Sequence, residues 1–264
     1  MQELISLLVL GLAAGILGGM LGIGGSIVMI PVLTLLLGKN QQLSQAAAMI
    51  VNVFVAAPAV IRHHRARAVR WDVWKRMIPL GFVFIVLGVE ASNRISHKGL
   101  ELLFGAFLIY VIIVNIRKLY DGDKSESDES SRTGWAASSG VGAAMGFVAG
   151  LLGVGGGIVA VPLLQRICRL PLRQCIATSA AVMCITSIIG AARKNMVLEQ
   201  LAENGESLGL QVTDSLIIAA CLIPTAIIGG FIGAGLTHGL PLRWIRLAFI
   251  LLMAAASGKF LGLW

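Results

Sequence analysis

Apolar stretches alternate with short polar breaks from one end of this chain to the other. The breaks divide it into ten segments, five at about 3–21, 26–37, 42–62, 77–92 and 99–118, and five at about 135–152, 156–168, 173–192, 214–236 and 241–262. Apolar runs of this kind predict membrane helices, and the alternation over about ten residues that marks a membrane β-barrel is missing. Between the two sets lies KLYDGDKSESDESSRTG, polar and without an apolar period, which predicts a solvated linker. The expected architecture is an all-α polytopic membrane protein, with a first membrane repeat over 1–118, a linker over 119–134 and a second repeat over 135–264. The start, MQELISLLVLGLAAGILGGM, has no basic leader and runs straight into a glycine motif, so it reads as a retained helix rather than a signal peptide.

The two sets share a sentence. Residues 15–33 read GILGGMLGIGGSIVMIPVL and residues 146–164 read GFVAGLLGVGGGIVAVPLL, aligned without a gap. Ten of these 19 positions are identical, among them Gly22/Gly153, Gly24/Gly155, Gly25/Gly156 and Pro31/Pro162. That is an internal repeat. Five segments per repeat is an odd number, so the second repeat enters the membrane from the opposite side. Charge agrees with inverted topology: RHHRARAVRWDVWKR follows the third segment with six Lys/Arg, whereas residues 193–213 carry only Arg193 and Lys194 beside Glu199, Glu203 and Glu206. The loop before the third segment reverses the bias, GKNQ having one Lys and QRICRLPLR three Arg. Under the positive-inside rule the linker is cytoplasmic and both termini are outside, which leaves six of the 21 Lys/Arg outside: Lys39, Arg94, Lys98, Arg193, Lys194 and Lys259.

The second segment of each repeat has about 12 residues, or ~18 Å of helix against a ~30 Å core. It is expected to form a re-entrant hairpin with the first segment, its apex inside the membrane. Glycine permits a tight turn there and lets another group approach the main chain. The helix that follows presents unpaired N–H groups and a positive dipole end, which together make an anion site without a buried Lys or Arg. Candidate site residues are therefore Gly22, Gly24, Gly25 and Ser26 in the first loop, and Gly153, Gly155, Gly156 and Gly157 in the second. The competing reading is close helix packing, which is stronger for Gly15, Gly19, Gly146 and Gly150. Valine at Gly25 or Gly156 is expected to abolish substrate handling in a chain that still folds. A nucleotide loop is excluded by the lack of G-K-[ST] and of any βαβ context.

Composition supports the membrane class: 57% of residues are hydrophobic and 13% charged, against about 25% charged in soluble domains. The net charge of +8 fits either an anionic substrate or anionic headgroups on the basic side. Cys168, Cys175, Cys184 and Cys221 form no C-x-x-C pair and read as small apolar residues. Asn52, Thr186 and Ser187 lie mid-segment, where they could bind an oxyanion or bond between helices. Glu90 is the most internal carboxylate, a candidate for a coupling proton or for an ion pair with Arg94. Arg62 and Arg193, at equivalent ends of the third segments, are candidates for steering anions, against plain interfacial anchoring. Trp71 and Trp74 among bases fit an interfacial belt better than a nucleic-acid surface. His63 and His64 have no companion ligands, and no catalytic pair stands out. The expectation is no metal, no cofactor, no nucleic acid and no enzyme.

The paired G-x-x-G-x-G-G elements, each followed by an apolar run and Pro, with basic loops in about 260 residues, resemble the TauE/SafE family of sulfite and organosulfonate exporters. The resemblance covers essentially the whole chain. It implies an inner-membrane carrier of a bacterium or archaeon, moving a small sulfur oxyanion or sulfonate outward, with a coupling ion left open. By position it implies a small-Thr-Ser site at Ala177, Thr178 and Ser179, which Ala46, Ala47 and Ala48 do not match in the first repeat. The expected function is a secondary carrier with alternating access around the glycine loops. A passive anion channel of the same architecture and a carrier of another small anion are the alternatives.

Overall fold

The computed structural model describes residues 2–21, 24–121, 134–203, 211–236 and 242–262; Gly22 and most of the 119–134 linker lie outside the described residues. Among the described residues the chain is helical, without a strand. The helices are α1 (Gln2–Leu21), α2 (Ser26–Pro31, continued by a π-helical turn Val32–Leu36), α3 (Gln41–Arg65), α4 (Trp71–Asn93), α5 (His97–Asp121), α6 (Trp135–Leu152), α7 (Gly157–Ile167), α8 (Leu172–Glu203), α9 (Val212–Leu236) and α10 (Leu242–Phe260). Six of them, α1, α3, α5, α6, α8 and α9, carry stretches long and apolar enough to cross a membrane, while Ser26–Leu36 and Gly157–Ile167 are shorter apolar helices.

Two boundaries differ from expectation. α4 begins at Trp71 rather than near 77, and α8 continues past 192 to Glu203. Arg193 and Lys194 are therefore helical rather than in a loop. The stretch RKNMVLEQLAE is built of good helix formers, so loss of hydrophobicity there does not end the helix.

Small residues pack the bundle. A β-carbon built on Gly11 of α1 would stand 2.6 Å from the Leu222 carbonyl of α9, and one on Gly229 would stand 2.9 Å from Ile16 N. On the other side of the bundle, a β-carbon on Gly142 of α6 would meet Met77 Cα of α4 at 2.8 Å, and one on Gly150 would meet Val89 N at 2.8 Å. Gly15 and Gly146 take equivalent places against Ala226 and Gly81. The packing role read for Gly15, Gly146 and Gly150 is their role in the structure. Large side chains such as Leu4, Ile5, Val9 and Leu12 are exposed, as expected where lipid is the solvent.

Contact order gives the helix directions. Contacts of α1 with α9 rise together along both chains, as do those of α6 with α4. α8 runs parallel to α4, through Gly81–Thr186, Glu90–Arg193 and Ser92–Lys194. α3 and α8 run antiparallel: Met49 lies at Gly190, while Arg70, just past α3, bonds Thr178. Each pairing has its counterpart five helices on: α1 with α9 and α6 with α4, α3 with α9 and α8 with α4, and α3 with α8 and α5 with α10 as self-matched pairs. The backbone repeats as well. Val28 and Met29 N–H donate to Gly25 O as Val159 and Ala160 do to Gly156 O, and Lys39 N–H donates to Leu33 O as Leu170 does to Leu164 O.

Candidate functional site

Both glycine clusters break the chain where the sequence places them. α1 ends at Leu21 and α2 starts at Ser26; α6 ends at Leu152 and α7 starts at Gly157. Gly153 closes α6 with φ +71°, its N–H on Ala149 O, and Gly156 precedes α7 with φ +66°. In the first loop the left-handed residue is Gly24, with φ +81°, while Gly25 is right-handed. Only glycine takes these values without strain.

The two loops meet at Ser26. Its side chain is fully buried. Gly155 N–H donates to Ser26 Oγ at 3.1 Å, and Asn52 Nδ2 of α3 donates to the same oxygen at 2.9 Å. Asn52 Oδ1 accepts the Ser26 N–H at 3.1 Å. One hydroxyl thus gathers the first loop, the second loop and the middle of α3. Gly24 is wedged between Met183 of α8 and Asn52: a β-carbon there would lie 2.9 Å from Met183 Sδ and 3.0 Å from Asn52 Oδ1. Gly153 lies on α3 in the same way, its β-carbon position 2.6 Å from Cβ and Cγ of Gln45. Each loop is therefore clamped by helices of both halves.

The two helix starts are not equivalent. The Ser26 N–H at the start of α2 is taken by Asn52, whereas the first-turn amides of Gly157 and Ile158 in α7 have no acceptor among the described residues. Both are buried. Unpaired donors at a helix start favour an anion, and here they lie one residue beyond the loop that touches Ser26.

Other candidates are placed away from this junction or are already bonded. Thr178 Oγ1 accepts the Arg70 N–H at 3.1 Å and so ties the α3–α4 turn to α8. Ser179 donates to Ile176 O and Thr186 to Val182 O, within their own helix; Ser187 is buried on the same helix. Glu90 is in an ion pair, but with Arg193 rather than Arg94: Arg193 Nε lies 2.7 Å from Glu90 Oε1, and Nη2 also bonds that oxygen. Next to it Lys194, fully buried, donates to Ser92 Oγ at 2.8 Å and Asn93 Oδ1 at 3.3 Å. Arg62 is exposed, and its guanidinium lies against Gly235. Aligned on Pro79 and Pro224, Gly235 occupies the place of Glu90. The arginine at one end of the bundle is neutralised, and its repeat partner at the other end has no carboxylate partner among the described residues. All four cysteines are free thiols. Among the described residues no three His, Cys, Asp or Glu are grouped to hold a metal.

Sequence reading missed Gln45. It is fully buried on α3 one turn from Met49, and among the described residues neither its Nε2 nor its Oε1 has a partner. The signal was present as Gln41, Gln45 and Asn52, which share one helix face.

A family model described as sulfite exporter TauE/SafE matches residues 7–260. The chain belongs to the TauE/SafE family. This is a transporter family and not an enzyme one. Among curated relatives of this TauE/SafE chain is the "Probable membrane transporter protein MamO" of Paramagnetospirillum magneticum, 28% identical over 290 residues that take in 98% of this chain and 44% of that one. The chain spans less than half the length of the MamO proteins it matches. A probable membrane transporter of Methanocaldococcus jannaschii is 30% identical over 193 residues, 70% of this chain and 69% of its own. YunE of Bacillus subtilis, described in the same words, is 24% identical over 92% of both chains. No solved structure gives a significant match.

Proposed function

We propose that this chain is a secondary carrier that moves a small sulfur-containing anion, such as sulfite or an organosulfonate, outward across the cytoplasmic membrane. Access alternates around the two glycine loops, and the anion is met by the Gly157 and Ile158 amides near the Ser26 junction. The observation that carries this reading is the Gly155–Ser26 hydrogen bond, which brings both loops to one buried point. A backbone donor site suits an anion that must also leave, because it holds charge without a fixed countercharge. The sulfur chemistry rests on the family's description.

Inverted topology is part of the proposal. Equivalent helices α3 and α8 running antiparallel are what a two-fold axis in the membrane plane requires, and the matching of α1 with α9 by α6 with α4 agrees with it. The orientation follows from charge. Lys39 on Glu3, Lys259 on the Leu35 carbonyl, Arg193 on Glu90 and Lys194 on Ser92 gather at one end of the bundle, and the more basic opposite end is assigned to the cytoplasm. Arg62, exposed at that end, draws anions toward the inner mouth.

Counterflow in proteoliposomes tests the carrier. Labelled sulfite should enter faster when unlabelled sulfite is loaded inside, and its uptake should saturate. Flux that is linear in concentration and indifferent to the opposite side would mean a passive channel. Stimulation by another small anion and not by sulfite would keep the carrier and replace its substrate.

A further inference from the structure

On α3, Gln41, Gln45, Ala48 and Asn52 follow one another at spacings of four, three and four residues. At 100° per residue they occupy one narrow face and span about 16 Å along the axis. All four are fully buried. The face leads from the end where Gln41 N–H approaches His97 Nε2, at 3.4 Å, to the Ser26 junction held by Asn52. Asn52 has both ends of its amide bonded. Gln41 has its oxygen on the Thr34 hydroxyl at 3.0 Å. Gln45 has neither end bonded among the described residues, although its stem is pressed against Gly153, two residues before the amide that reaches Ser26. An amide buried in a membrane helix bundle with both ends open is costly, and a purely structural position would take an apolar residue. The second repeat shows that choice: offset by 131, the place of Gln45 is filled by Ile176.

We infer that Gln45 is a specificity-determining ligand of the transported anion, its Nε2 group donating to an anion oxygen while the Gly157 and Ile158 amides hold the charge. The inference rests on the reading of the glycine loops as the anion site and adds a residue from the first repeat to it. The amide supplies direction that backbone N–H groups alone do not. An oxyanion presents several acceptor oxygens in fixed directions, where a halide presents one sphere, so an oriented donor added to the backbone amides favours the oxyanion over a halide of equal charge. The polar face of α3 then forms the half of the path that opens at the Gln41 end, which the second repeat does not duplicate.

The experiment is calorimetric titration of the purified full chain with sulfite, sulfate, thiosulfate and chloride, with the unfolding temperature of each variant measured in parallel. The wild type should bind one sulfur oxyanion and discriminate against chloride. Gln45→Leu should weaken that binding by about tenfold or more, the worth of a hydrogen bond to an ion, and narrow the discrimination against chloride. Its unfolding temperature should hold or rise, because an unpaired buried amide has been removed. Gln45→Met, closer in shape, gives the same test should Leu fail to fold. Oxyanion affinity within about twofold of wild type in either folded variant would overturn the role of Gln45 and leave the glycine-loop reading standing. A wild type that binds none of the sulfur oxyanions would overturn both.

Discussion

Gly155 N–H reaches Ser26 Oγ at 3.1 Å although the two residues are 129 positions apart. Among the described residues no other bond joins the two loops directly, and Ser26 stands where the second repeat has Gly157. A hydroxyl in one copy thus binds a backbone amide of the other, from a position where the two repeats differ.

Ser26→Ala removes the acceptor of both Gly155 N–H and Asn52 Nδ2. We expect a loss of about 1–3 kcal/mol from leaving these buried donors unpaired, seen as a lower unfolding temperature in detergent, together with reduced transport. Ser26→Thr, which keeps the oxygen, should retain more of both than Ala. Equal behaviour of the two variants would remove the hydroxyl from the account.

Gly146 and Gly140 lie on the same helix and predict opposite results. A β-carbon at Gly146 runs into the Gly81 backbone of α4, while one at Gly140 meets nothing within 4 Å. Gly146→Ala should destabilise by about 1–3 kcal/mol through overpacking. Gly140→Ala should be neutral or stabilising by up to about 1 kcal/mol through helix propensity. Thermal unfolding of the two variants side by side checks this.

Glu90 acts in this account as the partner of Arg193. Their side chains are about one third exposed, so breaking the pair costs only about 0–1 kcal/mol. Glu90→Gln should keep transport, and whatever response to a pH gradient the wild type shows should be unchanged. Loss of the gradient response at unchanged protein level would instead make Glu90 a proton carrier.

Arg62 faces Gly235 where Arg193 faces Glu90. Arg62→Gln should raise the KM on its own side of the membrane, on the order of threefold to tenfold at low salt, and the effect should fade as salt screens the charge. Gly235→Glu, which gives Arg62 the carboxylate its counterpart has, should move KM in the same direction. A KM that does not respond to either change would make Arg62 an interfacial anchor.

Much of the architecture was legible in the order of residues because glycine and proline recur at a fixed offset, and the backbone bonds at Gly25/Gly156 and Leu33/Leu164 recur with them. Helix ends were less so. The start of α4 at Trp71 and the tail of α8 beyond Arg193 are polar helix, and polarity does not separate helix from loop. Within the site, Asn52 read equally as a ligand or an interhelical bond, and its bonds to Ser26 were not readable, because partners 26 residues apart are set by packing. Gln45 is not legible as a site residue because a glutamine near the edge of an apolar run looks interfacial, and only its burial against Gly153 says otherwise. The expectation that valine at Gly25 or Gly156 tests substrate handling alone is also corrected. Gly156 has φ +66° with Met145 Cγ 2.6 Å from its β-carbon position, and Gly25 has the Ala14 carbonyl at 2.9 Å. Valine at either place disturbs the fold itself.

The most direct measurement is hydrogen–deuterium exchange of the reconstituted chain with and without saturating sulfite, read on peptides covering residues 24–31 and 153–160. An anion held by the Gly157 and Ile158 amides slows exchange in the second peptide most, and in the first through the Ser26 junction, while helices remote from the loops are unchanged. Protection that falls elsewhere, with these two peptides unaffected by a bound anion, would contradict the glycine-loop site.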